Sequence, residues 1–164
     1  MPNPSWQATK EFVHNRANGC CEYCLTCEIN IGQALHVEHI NPASGDHPDN
    51  LCLACPNCNL SKASATSAID SETNEEAPLF NPRTQIWREH FEWQDNHAII
   101  QGLTSIGRAT VDRLRMNRPR IVLARKRWEQ AGLHPVTKGK IVAIRSKHIS
   151  SLSKRSYIEV DENE

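Results

Sequence analysis

Glu38 and His39 stand side by side, Asn50 follows eleven residues after the histidine, and Asn59 comes directly after a Cys55-x-x-Cys58 pair. A matching Cys21-x-x-Cys24 pair lies upstream. Two chemistries are interleaved here. Tetrahedral zinc wants four ligands, and each Cys-x-x-Cys turn can deliver two thiolates. Four thiolates close the shell, so Cys21, Cys24, Cys55 and Cys58 read as a structural zinc site. A neutral imidazole is the natural base near neutral pH. A carboxylate and a carboxamide oxygen are hard ligands suited to Mg²⁺ or another divalent cation. Together they match the needs of phosphodiester hydrolysis, which are an activated water, charge neutralisation and a phosphate held in line.

Taken singly, these residues have plainer readings. Asn50, in HPDN, is a turn former, and Asn59 is a helix cap. His36 and His47 are further candidates for the metal site. Cys24-x-x-Cys27 competes with Cys21-x-x-Cys24 as a pair, and Cys20 is also available. Tyr23 between Cys21 and Cys24 favours that pair, which leaves Cys20 and Cys27 as spare thiols packed as small hydrophobes.

The elements that must position this chemistry follow from local signals. Ser5 to Asn18 reads as a helix with Ser5 as N-cap and Gly19 as the stop. After a turn at Ile31-Gly32, a strand ends at the Asn41-Pro42 break, and alternation puts His36 and Glu38 on one face. Leu51 to Ala54 is a short return strand, and CPNC opens a helix. The domain boundaries expected are 1–66 for the zinc-bearing unit, 67–78 for a polar, acidic linker, 79–135 for a helical extension, and 136–164 for a partly disordered C-terminal segment. In the extension, Leu103 to Met116 and a second helix opened by Pro119 and stopped by Gly132 carry apolar residues at helical spacing.

The chain has 164 residues, 38% of them hydrophobic and 7 of them cysteine. A core of that size is commonly stapled, and a structural metal is one staple. The start lacks the apolar stretch of a secretory signal, and no apolar run approaches a membrane span. The expectation is a cytoplasmic protein with no membrane partner, a setting in which paired cysteines bind zinc rather than form disulfides. Net charge is zero, but it is segregated: Leu103 to Arg155 holds 14 basic against 2 acidic residues, net +12, whereas Met1 to Gly102 holds 5 against 13, net −8. A basic third on a neutral chain suggests an anionic polymer as partner. Its candidate contacts are Arg108, Arg113, Arg115, Arg118, Arg120, Arg125, Lys126 and Arg127, whose phosphate binding would be sequence-independent. Arg83, Arg88 and His90 fit packing better than phosphate contact.

Cys21-Glu22-Tyr23-Cys24, Val37-Glu38-His39-Ile40 with Pro42, Asn50-Leu51 with Ala54-Cys55, and Cys58-Asn59 with Lys62 resemble the HNH endonucleases over about residues 10–65. The resemblance implies a ββα-metal, treble-clef-like finger set between zinc-binding cysteine pairs. It implies His39 as the general base, Glu38 as a ligand of the catalytic cation, Asn50 as the residue that holds the loop and orients His39, and Asn59 as second ligand. Asn59 stands where the family often has His, the HNN form. Products with 5′-phosphate and 3′-hydroxyl ends are also implied. Leu79 to Arg83, Trp87, His90-Phe91 and Gly102 to Thr110 resemble the extension of a bacterial, often cyanobacterial, subgroup.

The expectation is therefore an α+β protein, a zinc-stapled ββα-metal nuclease domain with a helical, basic extension. It would hydrolyse DNA phosphodiesters, double-stranded DNA being the favoured substrate, with structural Zn²⁺ and catalytic Mg²⁺ or another divalent ion. The rivals are a non-catalytic zinc-dependent nucleic-acid-binding module and an RNA-directed nuclease.

Overall fold

The computed structural model describes Ser5 to Val136. The C-terminal segment expected from residue 136, and with it the basic residues from Lys138 to Arg155, lies outside them save for Val136.

Helix α1 (Trp6–Arg16) begins where Ser5 caps it, its hydroxyl accepting from the Ala8 N–H. Only Thr9 and Val13 of α1 are buried. Arg16 reaches out of its last turn and donates to the carbonyls of Pro48 (3.1 Å) and Leu51 (2.7 Å), so α1 grips the loop that ends at Asn50. A short helix α2 (Glu28–Ile31) stops at Gly32, whose φ of 63° is left-handed and suits a residue without Cβ. Strands β1 (His36–His39) and β2 (Leu51–Ala54) pair antiparallel, Glu38 opposite Cys52 and His39 opposite Leu51. All four residues of β2 are buried. Helix α3 (Pro56–Lys62) follows directly, with Pro56 at its first position, where a missing N–H costs nothing. The β1–β2–α3 order is the ββα finger the sequence implies, and the whole is a mixed assembly of helices and small antiparallel sheets.

The segment read as a linker is an ordered hairpin, β3 (Ser67–Ile69) against β4 (Glu76–Pro78). The acidic composition concealed a buried anchor. Asp70 is wholly buried, accepts from the Glu72 N–H and the Thr73 hydroxyl, and takes both Nε and Nη2 of Arg108 at 2.7 Å. Helix α4 (Trp87–His90) leads into a third hairpin, β5 (Phe91–Gln94) with β6 (Ile99–Gly102). Helices α5 (Ser105–Arg113) and α6 (Pro119–Gln130) complete the extension.

The core runs through both parts of the chain. Val13, Tyr23, Leu51 and Leu53 share one cluster with Phe80, Phe91, Ile100, Leu114 and Met116. Polar ties cross the same boundary. The Trp87 indole donates to the Tyr23 carbonyl at 2.8 Å, Asn57 donates to the Leu114 carbonyl at 2.9 Å, and Arg83 pairs with Glu22. The extension is packed against the zinc-bearing unit rather than tethered to it.

Candidate metal centre and catalytic site

The first cysteine pair sits in a tight turn after α1. The Cys21 N–H donates to Thr26 O, and Leu25, with a left-handed φ of 59°, donates back to Cys21 O. Glu22 fastens this turn to β2, its N–H donating to Leu53 O and its carboxylate accepting from the Leu53 N–H. The second pair opens α3, with Cys55 as the N-cap and Cys58 in the first turn. All four sulfurs come within 4.8 Å of one another, all four residues are buried, and the Cys24 and Cys55 sulfurs are 3.7 Å apart. Four sulfurs around one zinc ion lie roughly 3.8 Å apart, given Zn–S bonds of about 2.3 Å. Burial pushes the Cys21 thiol well up, and hydrogen bonds with Cys21, Cys24 and Cys55 do the same to Cys58. Hydrogen bonds from Cys21, Cys55 and Cys58 hold Cys24 well below the usual thiol range. A divalent cation would let all four thiols ionise. The residues fit a structural metal such as zinc.

Cys20 and Cys27, read from sequence as spare thiols, are joined in a disulfide. They flank the Cys21–Cys24 turn and face each other across an antiparallel bridge, so closing the turn brings them together.

Alternation along β1 turns His36 and Glu38 toward α3. Asn59 Nδ2 is 3.0 Å from His36 Nδ1, and Lys62 Nζ is 2.9 Å from Glu38 Oε1. Asn59 and Lys62, three apart, share one helix face. Lys62 is 1% exposed and its ammonium also donates to the His39 carbonyl at 2.8 Å. Glu38 Oε2 and Asn59 Oδ1 accept no hydrogen bond among the described residues. Magnesium keeps several waters and takes only one or two protein oxygens besides substrate phosphate. Two free oxygens, one carboxylate and one carboxamide, are compatible with that demand.

His39 points the other way. Its Nε2 is 2.7 Å from Asp46 Oδ1. Asp46 is carried by the loop between the strands, which Asn50 clasps from inside: Oδ1 accepts from the Asn41 N–H, and Nδ2 donates to the carbonyls of Asn41 and Gly45. The Asn50 carbonyl in turn accepts from the Ile40 N–H at 2.8 Å. His47 caps the turn at Pro48 and lies far out in solvent.

Sequence reasoning missed Asp46 and the ion pair of Lys62. Asp46 sits in a run of turn formers, where an acid carries no distinguishing signal. Lys62 offered one: it stands three residues beyond Asn59, so a helix places both on the same side.

The expected nucleic-acid contacts divide. Arg125 is completely buried and belongs to the interior, since α6 packs that face inward. Arg108 is committed to Asp70 and Glu72. Lys126 is exposed but pairs with Asp95 at 2.7 Å. Arg113, Arg115, Arg120 and Arg127 are exposed and Arg118 half-buried. Arg113 also donates to the Lys62 carbonyl at 3.2 Å, which joins α5 to the end of α3. Of the three residues set aside as packing residues, Arg83 precedes α4 and pairs with Glu22, while Arg88 and His90 lie within α4, where His90 Nδ1 is 2.7 Å from the Thr104 hydroxyl.

No curated protein and no solved structure matches the chain. Residues 21–64, the span that holds both cysteine pairs, Glu38, His39, Asn50, Asn59 and Lys62, match the family model of the HNH endonuclease.

Proposed function

We propose that the protein is a metal-dependent endonuclease that hydrolyses DNA phosphodiester bonds, with His39 as the general base. The observation that carries this reading is the His39–Asp46 pair at the end of β1. With Nε2–H donating to the Asp46 carboxylate, Nδ1 keeps its lone pair and can take a proton from a water that attacks the phosphorus. The carboxylate then faces the imidazolium that forms, as an acid behind a catalytic histidine does in hydrolases. Asn50 has a positioning role, because its three hydrogen bonds hold the loop that carries Asp46. Lys62 fixes the Glu38 carboxylate by one oxygen and the His39 backbone by its carbonyl. A divalent ion held by Glu38 and Asn59, Mg²⁺ or another of similar hardness, would neutralise charge at the scissile phosphate and the departing 3′ oxygen. Arg113, Arg115, Arg118, Arg120 and Arg127 would supply salt-dependent, sequence-independent grip on the backbone. Double-stranded DNA is the substrate proposed.

One observation favours a non-catalytic binding module: the buried ammonium of Lys62 already occupies Glu38. His39→Ala separates the two readings. A nuclease loses cleavage by about 10²- to 10⁴-fold, the usual range for a general base, while DNA affinity and zinc content stay at wild-type levels. A binding module shows no cleavage for either protein and equal affinity for both. Running single-stranded RNA beside DNA tests the substrate: preferential cleavage of RNA would replace the DNA assignment.

A further inference from the structure

Arg125 is a buried cation without a carboxylate. It is 0% exposed and projects from α6 into the interior. Nη1 donates to the Ala98 carbonyl at 3.1 Å and lies 3.4 Å from Asn117 Oδ1, and the guanidinium carbon sits 5.3 Å from the centroid of the Trp93 ring. Nε and Nη2 have no hydrogen-bond partner. No Asp or Glu among the described residues pairs with it. Arginine stays charged in proteins, and a buried charge needs an opposite one. Helix α6 lies against the cysteine cluster: Arg118 and Ile121, the latter one turn before Arg125, line one cavity with Cys55. The thiols of Cys24, Cys58 and Cys55 are the groups that favour the charged guanidinium against its burial.

Those thiols belong to the cluster that fits zinc. A divalent ion with four thiolates carries a net charge of minus two, held among four buried residues. We propose that Arg125 is the charge-compensating residue of this metal centre, its unpartnered Nε and Nη2 edge turned to the thiolate sulfurs. Residues outside the coordination shell tune metal sites by such donation, and their loss commonly weakens metal binding by about 10- to 100-fold. The arrangement answers two problems together, an excess of negative charge at the metal and a buried cation without an acid. It also makes the extension part of the metal site, because α6 supplies the charge. The inference does not depend on the nuclease reading, since it concerns zinc retention and not cleavage.

The test uses the full chain and zinc alone. Wild type, Arg125→Met, Arg125→Lys and Asp70→Asn are compared by competition for zinc with a chelating indicator. The cobalt-substituted forms are compared by their thiolate-to-metal charge-transfer absorption. Asp70→Asn serves as the control for loss of stability in the extension away from the cluster. The expected result is zinc binding at least about tenfold weaker in Arg125→Met, with its charge-transfer band at longer wavelength, because sulfur without an N–H donor gives up charge more easily. Arg125→Lys, which keeps the charge but brings fewer donors, falls between, and Asp70→Asn binds zinc like wild type. Wild-type affinity and an unmoved band in Arg125→Met, or an equal loss in Asp70→Asn, would overturn the proposal. If Arg125→Met does not accumulate as folded protein, the cobalt band of Arg125→Lys decides: a shift supports the assignment and an unmoved band refutes it.

Discussion

At the scale of single residues, the site is a set of paired groups, and each pair has a distinct consequence when broken. Lys62 and Glu38 are 1% and 12% exposed, so removing the ammonium would strand a mostly buried carboxylate. Breaking one partner of such a pair costs about 3–5 kcal/mol; Lys62→Met should lose about 3 kcal/mol in denaturant unfolding, whereas the double change Lys62→Met with Glu38→Gln should recover part of it. Asp46 is exposed, so Asp46→Asn should leave stability nearly unchanged. It should still slow cleavage by roughly tenfold or more, because the amide no longer holds His39 in one tautomer. A steady-state comparison showing a lower kcat with little change in KM would bear this out. The clustering of Cys21, Cys24, Cys55 and Cys58 was readable from the chain alone, because it is written in their identity and spacing. The hydrogen-bond partners of Glu38 and His39 were not. Asp46 is one polar residue among several in a loop, and only the fold determines which of them meets the histidine.

At the scale of elements, the finger and the two long helices of the extension were legible and the hairpins were not. Strand β2 was read to the residue because a run of four buried residues between a turn and a cysteine knuckle has few alternatives, and α1 and α6 were read to within two residues from their caps. The hairpins β3–β4 and β5–β6 escaped. Each strand has only three or four residues, too short for alternation to show, and the acids of the first hairpin imitate a solvated linker. That hairpin is held instead by Asp70. The Arg108 guanidinium keeps the Asp70 carboxyl well below its ordinary range. Its folded pKa is therefore depressed, so it stabilises the protein at any pH above about 4, the unfolded value, and that stability is lost as pH falls below it. Asp70→Asn should lower the melting temperature at neutral pH and flatten its dependence on pH in the acid range. Gly107 marks the close approach of α5 to the end of α4, since a Cβ there would collide with the His90 carbonyl oxygen. Backbone cannot give way as a flexible side chain does, so Gly107→Ala should cost about 2–3 kcal/mol, readable as a shift of the urea midpoint at constant slope.

At the scale of the whole molecule, the cysteine cluster, the proposed catalytic residues and the arginines of the extension belong to one packed body. The cysteine knuckles hold the ends of the finger, and the extension lays α6 beside Cys55 while Arg113, Arg115, Arg120 and Arg127 face solvent. Stripping the zinc should unfold the finger and loosen the extension together, visible as a single loss of near-ultraviolet circular dichroism on chelation. The basic face makes a separate prediction. Arg120→Ala and Arg127→Ala should each weaken binding to duplexes of unrelated sequence alike and reduce the salt slope by about one unit, with melting temperature unchanged. The segregation of charge along the sequence singled out these arginines, but not that Arg125 is buried and Arg108 is committed to Asp70, because a helical pattern of cations does not reveal which side is packed. The central claim is that the finger is a working metal-dependent nuclease, and its most direct test is supercoiled plasmid incubated with the zinc-loaded protein in Mg²⁺, in Mn²⁺ and in EDTA. The account predicts relaxed and linear products with at least one of the two ions and none with EDTA. Intact plasmid under every condition, from protein that is folded, zinc-loaded and bound to the DNA, would contradict it.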